Sequence, residues 1–123
     1  MYCAIAAVEL LIGHRFWLCR EDFVGLFIEV DARADGTLTA FLDWEAAAAA
    51  LGAGRLACSD SQGQVLRVAA SIAEGVPVDL RDALSGLDER NLALVAGAVL
   101  YAGGCCVGLG ALVGDQVRPV VSR

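Results

Sequence analysis

The sequence predicts a mainly α-helical protein, a single compact domain (residues 1–123) of about five helices with a short β-hairpin or extended segment around residues 28–42. Hydrophobic residues make up 58% of the chain and charged residues 20%, so enough apolar side chains are present to bury a core. Apolar residues recur three and four positions apart in several stretches, as on the buried face of a helix. Most of these stretches are bounded by a capping residue or a glycine.

The first 30 residues predict two helices. Residues 2–12 predict the first helix, which ends at Gly13. Residues 20–30 predict the second, with apolar side chains at helical spacing: Phe23, Phe27 and Val30. The alternative for its second half is a strand, because apolar and acidic residues alternate from position 28 to position 31.

A turn signal predicts one arm of a hairpin. The dipeptide Asp35-Gly36 is typical of tight turns. After it, Leu38, Ala40 and Leu42 alternate with other residues and therefore share one face of an extended segment. We expect a brief strand there, which could pair with the segment before the turn.

Capping residues predict the helices that follow. Asp43 precedes residues 44–51, whose five consecutive alanines favour a helix. Ser59 and Gln62 have the spacing of a capping box, which opens a helix that reaches Glu74.

Two further helices are predicted in the same way. Asp79 caps a short helix that ends near Leu84, and Asp88 caps a helix over residues 89–102. Residues 105–123 could form a small C-terminal hairpin, with Pro119 confining its second arm to an edge.

The helix over residues 89–102 carries apolar side chains on both sides. Such a helix is typical of a domain centre, an oligomer interface or a membrane. We expect Leu94, Ala98 and Tyr101 to form an interface, either in a homo-oligomer or with another protein.

A membrane anchor is the second alternative for this region. Residues 92–114 contain no charged side chain and are long enough to span a bilayer. The segment is rich in glycine, however, and the Gly103-Gly104 pair at its middle is more typical of a helix end. A membrane span is therefore the less favoured interpretation.

Charge and cysteine content exclude several classes of function. The net charge of −6 argues against a nucleic-acid partner. All nine basic residues are arginine, which excludes lysine-dependent chemistry. Five cysteines in apolar stretches do not resemble a disulfide framework, so we expect a cytoplasmic protein with free thiols.

No catalytic, cofactor-binding or metal-binding residue can be assigned from the sequence. A small enzyme or ligand-binding protein is the alternative, using acidic residues of the segment 31–43 or the pair His14 and Cys19. Asp31 and Asp35 resemble two ligands of an EF-hand loop. The third and twelfth loop positions hold Arg33 and Leu42 instead of acidic ligands, which favours an ordinary turn.

Residues 43–104 resemble a group of small uncharacterised actinobacterial proteins. The stretches that carry the resemblance are Asp43-Trp44-Glu45-Ala46-Ala47, Cys58-Ser59, Leu66-Arg67-Val68-Ala69-Ala70-Ser71, Gly75-Val76-Pro77-Val78-Asp79-Leu80-Arg81-Asp82-Ala83-Leu84 and Gly86-Leu87-Asp88. The resemblance implies a folded domain. It carries no activity, so the preferred hypothesis is a non-enzymatic protein-interaction or self-associating domain.

Overall fold

The structure, a computed structural model, describes residues 2–104. Six α-helices, one 3₁₀ turn and two strands follow one another in this part of the chain. The elements are α1 (Cys3–His14), a 3₁₀ turn (Trp17–Cys19), α2 (Glu21–Phe27), β1 (Ile28–Ala32), β2 (Leu38–Leu42), α3 (Trp44–Gly52), α4 (Asp60–Glu74), α5 (Leu80–Ser85) and α6 (Glu89–Ala102). The prediction of a mainly helical domain with a short hairpin is confirmed.

Helix α4 lies at the centre of the core. It packs against α1, α3, α5 and α6. Its buried residues are Gly63, Val65, Leu66, Val68, Ala69 and Ala70. Helix α6, in contrast, packs against α1 and α4 and leaves Leu92 and Val99 exposed. The two-sided apolar helix therefore borders the core instead of forming its centre.

Trp17 and Arg20 join the first half of the chain to the second. The buried Trp17 ring donates a hydrogen bond from Nε1 to the Gln62 carbonyl, 2.9 Å away. The Arg20 guanidinium lies over the Trp17 ring, donates to the Ala57 carbonyl and pairs with Asp22. The segment between α1 and α2 is thereby anchored to the start of α4.

The predicted caps are confirmed. Ser59 Oγ accepts from the Gln62 N–H at 3.3 Å, and Gln62 Oε1 accepts from the Ser59 N–H at 2.8 Å, which completes a capping box. Three aspartates accept a hydrogen bond from the backbone N–H three residues later: Asp43, Asp79 and Asp88. These bonds satisfy amide groups that have no partner inside their helix.

The predicted end of the first helix was wrong. Helix α1 continues through Gly13 and ends at His14, and the next residue, Arg15, caps it with a φ of 62°. A Cβ atom at Gly13 would lie 2.9 Å from Leu94 Cδ2. Glycine at this position therefore lets α6 approach α1 closely and does not end the helix.

The second helix is also shorter than the primary prediction, and the alternative is confirmed. Helix α2 ends at Phe27, and β1 follows at once. Because β2 offers a partner in antiparallel register, the alternating segment pairs as a strand. The proposed C-terminal hairpin and the second half of the segment 92–114 lie outside the described residues.

Candidate interaction surface

The β-hairpin has one face made only of apolar side chains. The register pairs Ile28 with Leu42, Val30 with Ala40, and Ala32 with Leu38. Side chains directly opposite each other in a ladder lie on the same side of the sheet, so these six residues share one face. We call it the apolar hairpin face. The other face carries Glu29, Asp31, Thr39 and Phe41.

Most of the apolar hairpin face is exposed. Leu38 has 68% of its surface exposed and Val30 has 62%. Only Ile28 and Leu42, at the base of the hairpin, are half-buried. Single exposed apolar residues are common in proteins, but several on one regular face indicate an interaction site.

A groove adjoins the base of the hairpin. It has a volume of about 340 Å³ and is lined by Leu26, Phe27, Ala46, Ala49, Ala50, Arg55 and Leu56. Leu26, which is 70% exposed, forms part of its wall, and Phe41 is 54% exposed nearby on the second face of the hairpin. Apolar surface therefore extends from Phe41, on the second face of the hairpin, onto α2 and α3.

The backbone hydrogen bonds of the hairpin define which residues face its edges. The Asp43 N–H donates to the Phe27 carbonyl at 2.8 Å, and the Arg33 N–H donates to the Thr37 carbonyl at 2.7 Å. Bonded and non-bonded pairs alternate along an antiparallel ladder. Val30 and Ala40 therefore form a non-bonded pair, and their N–H and C=O groups point to the two outer edges of the hairpin.

The two edges differ in charge. Strand β1 carries Glu29 and Asp31, whereas β2 has the sequence Leu-Thr-Ala-Phe-Leu. Charged side chains and proline protect edge strands against pairing with another chain. Strand β2 has neither, and among residues 2–104 it pairs only with β1.

The predicted interface residues lie largely between α6 and α1 of the same chain. Ala98 is buried, Leu94 is half-buried beside Gly13, and the Tyr101 ring stacks on the Tyr2 ring with centroids 5.7 Å apart. An intermolecular contact through these residues stays a prediction. Much of their apolar surface is already in use within the chain.

The acidic residues between positions 31 and 43 have separate local roles. Asp31 lies on β1 opposite Thr39, and Asp43 caps α3. Asp35 accepts from the Thr37 N–H at 2.9 Å and the Thr37 hydroxyl at 2.6 Å, and these bonds lower the pKa of its carboxyl. Among the described residues, no group of three His, Cys, Asp or Glu side chains converges on a metal position.

His14 and Cys19 are placed differently, and no contact between them is recorded. His14 is buried at the end of α1, where burial and the nearby Arg90 lower its pKa, against the opposing effect of Asp88. Its Nδ1 atom has no hydrogen-bond partner within residues 2–104. Cys19 is exposed at the end of the 3₁₀ turn.

No protein family, curated protein or solved structure matches the chain. Within residues 2–104, no helix is long and apolar enough to cross a membrane.

The apolar hairpin face was only partly predictable from the sequence. The alternation of Leu38, Ala40 and Leu42 indicated one apolar side of a strand, and Ile28 and Val30 suggested a second strand. The sequence pattern alone, however, is equally typical of a hairpin whose apolar side packs on a core. The exposure of Val30 and Leu38 emerges only from the fold.

Proposed function

We propose that the protein is a non-enzymatic interaction domain that associates with a protein surface through the apolar hairpin face. The observation that carries this proposal is the exposure of Val30 and Leu38 on a face that contains only apolar side chains. Removing such side chains from water favours association, and the hairpin edges offer backbone groups for hydrogen bonding. Its partner is a second copy of the chain or another protein.

The arrangement of polar groups supports a non-enzymatic role. A catalytic site needs several polar groups that converge on one position. Asp35 and Asp43 instead accept hydrogen bonds from backbone N–H groups two and three residues later, and the buried His14 does not line the groove beside the hairpin. The groove beside the hairpin is lined by apolar residues and the single charged residue Arg55.

The chemistry of the surface supports a protein partner in the cytoplasm. The net charge of −6 disfavours nucleic acid, while an apolar face suits a protein surface. Cys3, Cys19 and Cys58 are free thiols, which suits a reducing compartment.

Sedimentation velocity of the full-length chain tests this proposal. We expect the wild type to associate with increasing concentration and Leu38→Asp to weaken that association, because a carboxylate would be desolvated in the contact. Leu80→Asp is the matched control, since Leu80 is 53% exposed on α5, a different element. An unchanged mass in Leu38→Asp, or a wild type that stays monomeric, would contradict self-association through this face.

A further inference from the structure

We infer that the partner is a second copy of this chain, which pairs through β2 to form a four-stranded antiparallel sheet in the order β1-β2-β2-β1. This inference rests on the proposed function, because it names the occupant of the same hairpin. Its two-fold axis would pass beside Ala40, so that Ala40 of one copy lies opposite Ala40 of the other.

The backbone geometry favours this axis. Leu38, Ala40 and Leu42 occupy non-bonded positions toward β1, so their N–H and C=O groups point outward. An antiparallel pairing centred on Ala40 places each of these residues in a bonded pair: Leu38 with Leu42, Ala40 with Ala40, and Leu42 with Leu38. Each pair can exchange two hydrogen bonds, so the whole outer edge of β2 is satisfied.

The charges favour β2 over β1 as the contact edge. A two-fold pairing of β1 centred on Val30 would place Glu29 opposite Asp31 of the second copy, twice. Like charges directly opposite each other destabilise a sheet. The corresponding pairs along β2 contain only Leu, Ala, Thr and Phe. The outer strands of the resulting sheet are then the two β1 strands, whose acidic side chains protect the edges from further pairing.

The pairing also gives the exposed Leu38 an apolar neighbour. Antiparallel pairing brings the tip of one hairpin beside the base of the other. Leu38, which is 68% exposed, then lies next to the half-buried Leu42 of the second copy. The contact is isologous and closed, so it yields a dimer and no filament.

Proline substitution tests the inference on the full-length chain by sedimentation equilibrium. Ala40→Pro removes an N–H that points away from β1, so the hairpin keeps its internal bonds while the second copy loses its central pair. We expect the dissociation constant to rise about tenfold or more. Leu80→Pro is the control, because Leu80 is the first residue of α5, a position where proline is tolerated, and we expect it to dimerise as the wild type does.

A second substitution keeps the test decisive if a proline variant unfolds. Ala40→Lys would place two ammonium groups opposite each other across the axis, whereas Leu80→Lys adds the same charge on α5, so only the former should dissociate the dimer. A dimer that survives both Ala40 variants overturns the β2 pairing. If Leu38→Asp still dissociates that dimer, the apolar hairpin face remains the contact and only its geometry is wrong.

Two other outcomes would also overturn the inference. Dissociation by the Leu80 variants as strongly as by the Ala40 variants would show that the effect does not arise at the edge of β2. A wild-type chain that stays monomeric at every concentration would exclude a second copy as the partner, and would leave residues 105–123 or a different protein as the partner of the hairpin.

Discussion

Val30 and Ala40 lie directly opposite each other in the hairpin, yet their backbone N–H and C=O groups point in opposite directions, toward its two edges. The N–H of Val30 therefore lies at one edge of the hairpin and the N–H of Ala40 at the other, so a measurement on these two groups compares the edges directly. One edge belongs to an acidic strand and the other to an uncharged strand. This difference is the basis of the proposed dimer.

The histidine at the end of α1 predicts a pH dependence of stability. Burial and Arg90 lower the pKa of His14 in the folded state, outweighing the effect of Asp88, so the unfolded chain binds the proton more readily. The contribution of neutral His14 is therefore complete above its ordinary value of 6.5 and is lost as the pH falls from there through the lower folded pKa. Urea denaturation between about pH 7.5 and pH 5.5 should show this loss.

His14→Phe is the control for that measurement. Because His14 is the only histidine in the chain, the variant should show a flatter dependence over the same range. If the free energy of unfolding changes equally with pH in the two proteins, the pH dependence comes from other groups.

We expect Trp17 to stabilise the fold through its indole hydrogen bond as well as through its buried ring. Trp17→Phe removes the hydrogen bond to the Gln62 carbonyl as well as ring volume. Trp44→Phe removes similar volume from a buried site for which the structure, within residues 2–104, records no indole hydrogen bond. We expect the free energy of unfolding to fall by about 1 kcal/mol more in Trp17→Phe. Equal losses in denaturant unfolding would show that the bond contributes nothing.

The capping box at the start of α4 should stabilise the whole domain, since α4 is the central helix. Ser59→Ala removes the oxygen that accepts from the Gln62 N–H, and we expect a loss of about 1 kcal/mol. Ser71→Ala, a half-buried position later in the same helix, should change stability by less than about 0.5 kcal/mol. Thermal unfolding of the two variants compares them, and similar midpoints would argue against the cap.

Two glycines predict opposite effects of the same substitution. Gly97 lies inside α6, and apart from the backbone of that helix a Cβ atom there would meet no atom within 4 Å, so Gly97→Ala should stabilise the protein by about 0.5–1 kcal/mol. Gly75 ends α4 with a φ of 73°, so Gly75→Ala should destabilise it by about 1 kcal/mol. Chemical denaturation should give shifts of opposite sign, and shifts of the same sign would contradict the backbone account.

Local interactions explain which parts of the fold were predictable. A capping bond joins residues three positions apart, so Asp43, Ser59 and Asp88 marked their helices correctly. The end of α1 was mispredicted because the partner of Gly13 is Leu94, which lies far away in the sequence. The boundary between α2 and β1 likewise depends on β2, a partner that residues 20–30 do not contain.

The apolar hairpin face was likewise predictable only in part. Alternation in β2 predicted an apolar side, because side-chain direction in a strand follows sequence position. Whether another element covers that side depends on the packing of the entire chain. The same limit applies to α6, whose two apolar sides suggested an intermolecular contact. In the structure α1 packs along one of them, where Gly13 lies beside Leu94.

Amide hydrogen exchange at Val30 and Ala40, followed by NMR in the unmodified chain, tests the proposed dimer most directly. Neither N–H donates within the hairpin, so both should exchange rapidly in a monomer. The β2 pairing predicts that the Ala40 N–H becomes protected as the protein concentration rises, while the Val30 N–H stays unprotected. Rapid exchange at both positions at high concentration, or protection of Ala40 that does not depend on concentration, would contradict pairing with a second copy.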